Sequence, residues 1–174
     1  MGFSHHWYRR PVLNATKFIA AVVECERAKL HWHQEAPSQR LTNAPIIHMH
    51  LVDAVFNQNV VGFSGGCERF EIEREFSMRH RPPKEDGTYF SFCKTNQLPY
   101  DTLVTACLLI FKHTFGKGFK VSSNGTIEDW KAGIALVEKV VAWRSEWRFD
   151  EKVVDGISDM SLEETRKKKE KAHA

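Results

Sequence analysis

Between Tyr100 and Phe111 the residues Tyr100, Leu103, Val104, Cys107, Leu108 and Phe111 recur at helical spacing, and Leu109 and Ile110 widen the stripe. A helix apolar around so much of its circumference has to be buried, so this segment predicts a central helix running to about Phe115. Pro99 fits its first turn, and Gly116 and Gly118 end it. The segment before it, Tyr89–Thr95, reads as a strand with Phe90 and Phe92 on one face and Tyr89, Ser91, Cys93 and Thr95 on the other. Phe119–Ser123 reads as a second strand, and Asn124-Gly125 turns the chain. Thr126 with Asp129 resembles a capping box, with Asp in place of the usual Glu. It opens a helix to about Trp143 that buries Trp130, Ile134, Val137 and Val141.

Upstream, Asn14 caps a helix predicted to run to about His33, with Ala15, Phe18, Ile19, Val22 and Cys25 as its apolar stripe. Glu35–Pro45 is loop, Ile46–Phe56 is β-rich, and Asn57-Gln58-Asn59 turns toward Val60–Phe63. Phe70, Ile72 and Phe76 alternate with Arg69, Glu71, Glu73 and Glu75, the pattern of a strand with one wet face. Arg79–Gly87 is a charged loop with two prolines. The order of elements predicts an α+β fold. We expect a two-layer sandwich, a mostly antiparallel sheet with helices on one face, ending in a strand–helix–strand–helix unit. Residues 1–157 form the expected single domain and 158–174 a charged tail, helical or disordered.

Composition narrows the class. Apolar residues make up 42% of the 174-residue chain and charged residues 27%, as in a globular protein. No apolar run approaches the ~20 residues that cross a bilayer, so no membrane partner is expected. The stretch from Met1 to Arg10 lacks the apolar core of a secretory signal. Cys25, Cys67, Cys93 and Cys107 form no CxxC pair, which argues against a zinc knuckle or a disulfide framework and for reduced thiols in a cytoplasm. Of the net charge of +3, the residues from 161 onward supply +2, so the body carries no basic footprint of a nucleic-acid-binding domain.

The pieces Phe92-Cys93-Lys94-Thr95, Pro99-Tyr100-Asp101 and Val121-Ser122-Ser123-Asn124-Gly125, with Trp130, resemble a family of uncharacterised phage and bacterial proteins. That family carries the pattern F-C-K-T…P-Y-D…V-S-S-D-G…W. The opening His-Trp-Tyr-Arg-Arg-Pro is similar to how its members begin, and Asn124 stands here in place of the pattern's Asp. The resemblance implies a viral or mobile-element origin, with host cytoplasm as the compartment, and implies no reaction.

Several constellations could carry chemistry. Cys93, His113 and Asp101 are the right types for nucleophile, base and orienting acid. However, His113 lies far along its helix, and a buried thiol beside a surface histidine is the plainer account. His48 and His50 share a strand face and could share a metal. Asp53 faces the other way and no third ligand is evident, so no metal or cofactor is expected. Ser122, Ser123, Asn124 and Gly125 precede a helix start where backbone N–H groups attract anions, with Lys94, Lys117 or Lys120 adding charge. An ordinary turn whose hydroxyls satisfy the backbone is the plainer account. Arg74, Arg79, His80, Arg81 and Lys84 form a basic cluster near Phe76 and Tyr89, but Glu71, Glu73, Glu75, Glu85 and Asp86 interleave.

The leading expectation is a non-enzymatic binding protein of phage type. It would engage a host or phage protein, as in anti-defence, or a small anionic ligand. The expected site is the polar joint of Lys94, Thr95, Tyr100, Asp101, Ser122, Ser123 and Asn124, at one sheet edge between two neighbouring parallel strands. The alternatives are a small hydrolase using Cys93, or a nucleic-acid-binding module using the Arg79 loop and the basic tail.

Overall fold

In the computed structural model, which describes residues 2–35, 50–77 and 82–141, the chain opens on a strand that its sequence pattern does not announce. This is β1 (Ser4–Arg9). It is followed by α1 (Ala15–Glu35), β2 (Val52–Phe56), β3 (Val60–Ser64), β4 (Phe70–Glu73), β5 (Tyr89–Lys94), α2 (Asp101–Phe115), β6 (Phe119–Ser123) and α3 (Ile127–Val141). A short 3-10 turn, Gly116–Gly118, separates α2 from β6. The fold is α+β. His48, the Arg79–Arg81 stretch, the boundary at residue 157 and the charged tail lie outside the described residues.

The expected single sheet is two. One has the order β5-β1-β6 and the other β2-β3-β4, and every pairing is antiparallel. The insertion of β1 corrects the expected topology. β5 and β6 do run parallel, joined through α2, but they are separated by β1 rather than neighbouring. β1 escapes a hydrophobic reading because its buried residues are Ser4, His5, Trp7 and Arg9, three of which are polar.

Local signals explain the other elements. The side chain of Asn14 accepts from Lys17 N at 3.0 Å and caps α1. The buried face of α1 is Phe18, Ala21, Val22, Cys25, Ala28 and Trp32. Ile19 of the predicted stripe is 47% exposed, and Ala15 is also exposed. Asn57 Oδ1 accepts from Asn59 N and Val60 N and closes the β2–β3 turn. β4 ends at Glu73, earlier than the alternation to Phe76 suggests.

α2 is the central helix, buried from Leu103 to Phe111. It lies against α1, where Phe18 meets Phe111 edge-on, and against α3, where Gly133 sits on Thr105 and Ala106. Trp7, Phe63 and Phe70 link the two sheets into one core with the helices. Alternation along β1 therefore has a meaning. His5, Trp7 and Arg9 point into the core with their partners Cys93, Ser91 and Tyr89 on β5. His6 and Tyr8 point the other way with Phe92 and Phe90.

Candidate functional site

The structure gathers the predicted joint at one end of the β5-β1-β6 sheet. Ser4 pairs with Lys94 on one side and His5 with Ser123 on the other. The same alternation puts Lys94 on the outer face and Ser123 on the inner face. Thr95, Tyr100 and Asp101 are buried.

Their polar groups are engaged within the protein. Asp101 Oδ1 accepts from His5 Nε2 at 2.7 Å and from the Thr95 hydroxyl. The Tyr100 hydroxyl donates to the carbonyls of Glu68 (2.8 Å) and Lys94 (3.2 Å). The Ser123 hydroxyl donates to Ser4 O and accepts from Gly125 N. Asn124 Oδ1 accepts from Ser4 N while its Nδ2 donates to Gly2 O. At the start of α3, Asp129 Oδ2 takes the backbone N–H and hydroxyl of Thr126. An anion at that terminus would therefore compete with the helix's own carboxylate. These residues fasten β1 to β5, α2 and β6. Lys94 and Ser122 are the members of the predicted set that lie on the outer sheet face.

The hydrolase constellation does not assemble. Asp101 pairs with His5 rather than His113, and His113 is exposed twelve residues on, about 18 Å along the axis at 1.5 Å per residue. Cys93 is fully buried, and its thiol donates to Glu68 O at 3.4 Å. Burial pushes that thiol up to about 12, the reverse of what a nucleophilic cysteine requires. Of the histidine pair, His50 is exposed. Among the described residues no three His, Cys, Asp or Glu side chains converge as metal ligands.

The outer face of the β5-β1-β6 sheet carries the residues that sequence reasoning missed. His6 and Tyr8 of β1 lie beside Phe92 and Phe90 of β5, and beside Ser122 and Lys120 of β6. The rings form one patch. Tyr8–Phe90 centroids are 5.1 Å apart, His6–Phe90 5.7 Å, and Phe90–Phe92 6.0 Å in a stacked arrangement. Phe92 is 36% exposed, and His6, Tyr8 and Phe90 are half-buried. Partial burial lowers the pKa of His6, with a smaller contribution from neighbouring His5, which favours the uncharged ring.

Cations border the patch. Lys94 and Lys120 are exposed on the same face. Lys84 Nζ lies 4.1 Å from the centre of the Tyr8 ring and 6.0 Å from that of Phe90. The turn that carries Lys84 is fixed: Lys84 N donates to Thr88 O, and Arg10 donates to Asp86 O. Asp86 Oδ1 takes the Thr88 hydroxyl and N–H, and these bonds, with smaller contributions from Lys120 and Arg10, lower the pKa of the carboxyl. The sequence signal for this face was the His5–Arg9 alternation ahead of Pro11, paired with Phe90 and Phe92. Neither half reads as a surface without the register between them. Comparison with protein-family models, with curated proteins and with solved structures finds no match for this chain.

Proposed function

We propose that this protein is a binding module for single-stranded nucleic acid and that the outer face of the β5-β1-β6 sheet is its platform. The observation that carries the reading is the patch of His6, Tyr8, Phe90 and Phe92 on two adjacent strands, bordered by Lys84, Lys94 and Lys120. Stacking on aromatic rings beside a basic border is the chemistry that single strands offer: every base has a π-face and every link a phosphate. RNA-recognition modules use the same solution, with aromatics on neighbouring antiparallel strands holding two or three bases. A duplex hides its base faces and should bind poorly.

The Lys84 ammonium occupies the position over Tyr8 that a base would take. A flexible lysine can swing from the ring to a phosphate, so the contact is replaced rather than lost. The reading moves the interaction away from the buried joint, takes Lys84 from the Arg79–Gly87 loop and uses nothing of the tail.

The test is fluorescence anisotropy with a labelled oligothymidylate over a range of salt. Tyr8→Ala and Phe92→Ala should each weaken binding by about tenfold or more, since a base–aromatic stack contributes roughly 1–3 kcal/mol. Lys94→Ala and Lys120→Ala should each lower the salt slope by about 0.7, the value for one phosphate contact on a single strand. Binding unchanged in Tyr8→Ala and Phe92→Ala, with melts intact, would refute the platform.

A further inference from the structure

The ring of Tyr8 is covered by a cation of the protein itself. Lys84 Nζ lies 4.1 Å from the centre of the Tyr8 ring and 6.0 Å from that of Phe90, within the range at which an ammonium is attracted to an aromatic face. Among the described residues no carboxylate forms an ion pair with Lys84, although Glu85 and Asp86 follow it in the chain. The ring is the partner of this ammonium.

The backbone that carries Lys84 is tied down. Lys84 N donates to Thr88 O and Lys84 O accepts from Gly87 N, both at 2.8 Å. Asp86 Oδ1 takes the N–H and hydroxyl of Thr88, and Gly87 closes the turn at a φ of +74°, a backbone conformation that glycine adopts without strain. Arg10, two residues past Tyr8, donates to Asp86 O at 3.1 Å and fastens this turn to the end of β1. The exposed stem of Lys84 keeps its own torsions, so the ammonium swings on a flexible tether whose root is fixed beside Tyr8.

A base that enters this position has to displace the ammonium from the ring. A ligand with a phosphate next to that base returns more than is lost, because a lysine–phosphate contact is a charge-assisted hydrogen bond, whereas the contact of an exposed ammonium with a ring is weak. A planar molecule without charge returns nothing. We infer that Lys84 sets the specificity of the platform by acting as a cap, closed to uncharged planar molecules and drawn off Tyr8 by a base that carries a phosphate. The ligands admitted are the nucleotides of a phosphodiester strand, and nucleosides, free bases and other neutral aromatics are disfavoured. This inference rests on the platform reading. It gives Lys84 an effect that a simple phosphate contact lacks, since for an uncharged ligand Lys84 opposes binding.

Fluorescence anisotropy with a labelled oligothymidylate, and with a methylphosphonate strand of the same sequence whose backbone is uncharged, reads that sign. Lys84→Ala should weaken the phosphodiester strand and tighten the methylphosphonate strand by about two- to fivefold, the equivalent of an exposed cation–ring contact. In a Tyr8→Ala background the same substitution should tighten nothing, because there is no ring to uncover. Lys84 is exposed, so the melting temperature should not move. Tyr8-dependent binding of the phosphodiester strand, with no gain for the methylphosphonate strand in Lys84→Ala, overturns the cap and leaves the platform standing. A methylphosphonate strand that binds neither protein counts as no gain. If the phosphodiester strand does not bind the unsubstituted protein, the platform fails and the cap fails with it.

Discussion

Gly133→Ala reverses the sign expected of its substitution type. Alanine in place of glycine in a solvated helix stabilises by about 0.8–1.0 kcal/mol through backbone entropy. Gly133, however, packs directly on Thr105 and Ala106 of α2. A Cβ there would fall well inside 3.0 Å of Thr105 Oγ1, at 2.8 Å from Thr105 Cβ and 3.1 Å from Ala106 N. The threonine cannot swing clear at low cost, because its hydroxyl is bonded to the carbonyls of Asp101 and Thr102 at 3.0 Å. The backbone of Ala106 has no freedom within a buried helix. α3 would have to move out by about an ångström, and overpacking of this kind costs roughly 1–3 kcal/mol or somewhat more. Against the propensity gain, the net is a loss of up to about 2 kcal/mol, or up to roughly 8 °C in Tm for a chain of this size. Thermal and urea denaturation of the purified variant measure it. Thr105→Ala in the same chain removes the nearest atom but not Cβ, so the double variant should recover part of the loss beyond additivity. A Gly133→Ala protein that melts higher than wild type would refute the close α2–α3 contact.

Three further outcomes follow from the interior. Leu108→Ala, at a fully buried position of α2, should lose about 2–5 kcal/mol in urea unfolding; a change within error would mean that α2 is peripheral. Asn124→Asp keeps an acceptor for Ser4 N but cannot donate to Gly2 O, so about 1 kcal/mol should be lost, with the largest gain in amide exchange at the start of β1. In Cys93 the folded thiol holds its proton up to about 12 while the unfolded value is near 9.0. Its contribution to stability is therefore complete below about pH 9 and is lost as pH rises from there toward 12. Iodoacetamide at neutral pH should leave Cys93 unlabelled in the native state and label it in urea, and rapid native labelling would show that the thiol is neither buried nor raised.

The sequence made some elements legible and hid others for physical reasons. α2 was readable because its burial is carried by aliphatic residues at helical spacing. The β2–β3 turn and the α1 and α3 caps were readable because Asn57, Asn14, Thr126 and Asp129 each act within a few residues of themselves. β1 was not, because its buried residues are held by partners far away in sequence: Asp101 for His5, and the carbonyls of Glu73 and Arg74 for Arg9. With β1 missing, β5 and β6 became neighbours on paper. Thr95, Tyr100 and Asp101 then looked like cleft residues, whereas their groups are used in attaching the strand that was not seen. The aromatic face was hidden for the same reason, since His6 and Tyr8 acquire Phe90 and Phe92 as neighbours only through pairing across more than eighty residues.

The buried polar side chains of β1 also account for how that face is kept on the outside. A slip of one residue in a strand exchanges its two faces. Here it would bring His6 and Tyr8 into the core and expose His5, Trp7 and Arg9. Hydrophobic burial alone discriminates weakly between these registers, since each set contains aromatic rings. The hydrogen bonds of His5 and Arg9 discriminate strongly. In the observed register His5 donates to Asp101, which also holds Thr95, and the Arg9 guanidinium meets four carbonyls. In the slipped register Asp101 would remain buried without its imidazole, and the four carbonyls would lose the guanidinium as a donor. Breaking a buried, hydrogen-bonded charge of this kind costs roughly 3–5 kcal/mol, well above what exchanging one aromatic pair for another returns. The polar interior of β1 thus acts as a register key, and the outward placement of His6 and Tyr8 beside Phe90 and Phe92 is its consequence. Removing the key through Asp101→Ala should therefore weaken nucleic acid binding at a distance, with Tyr8 and Phe92 themselves unaltered, by loosening the strand that presents the platform.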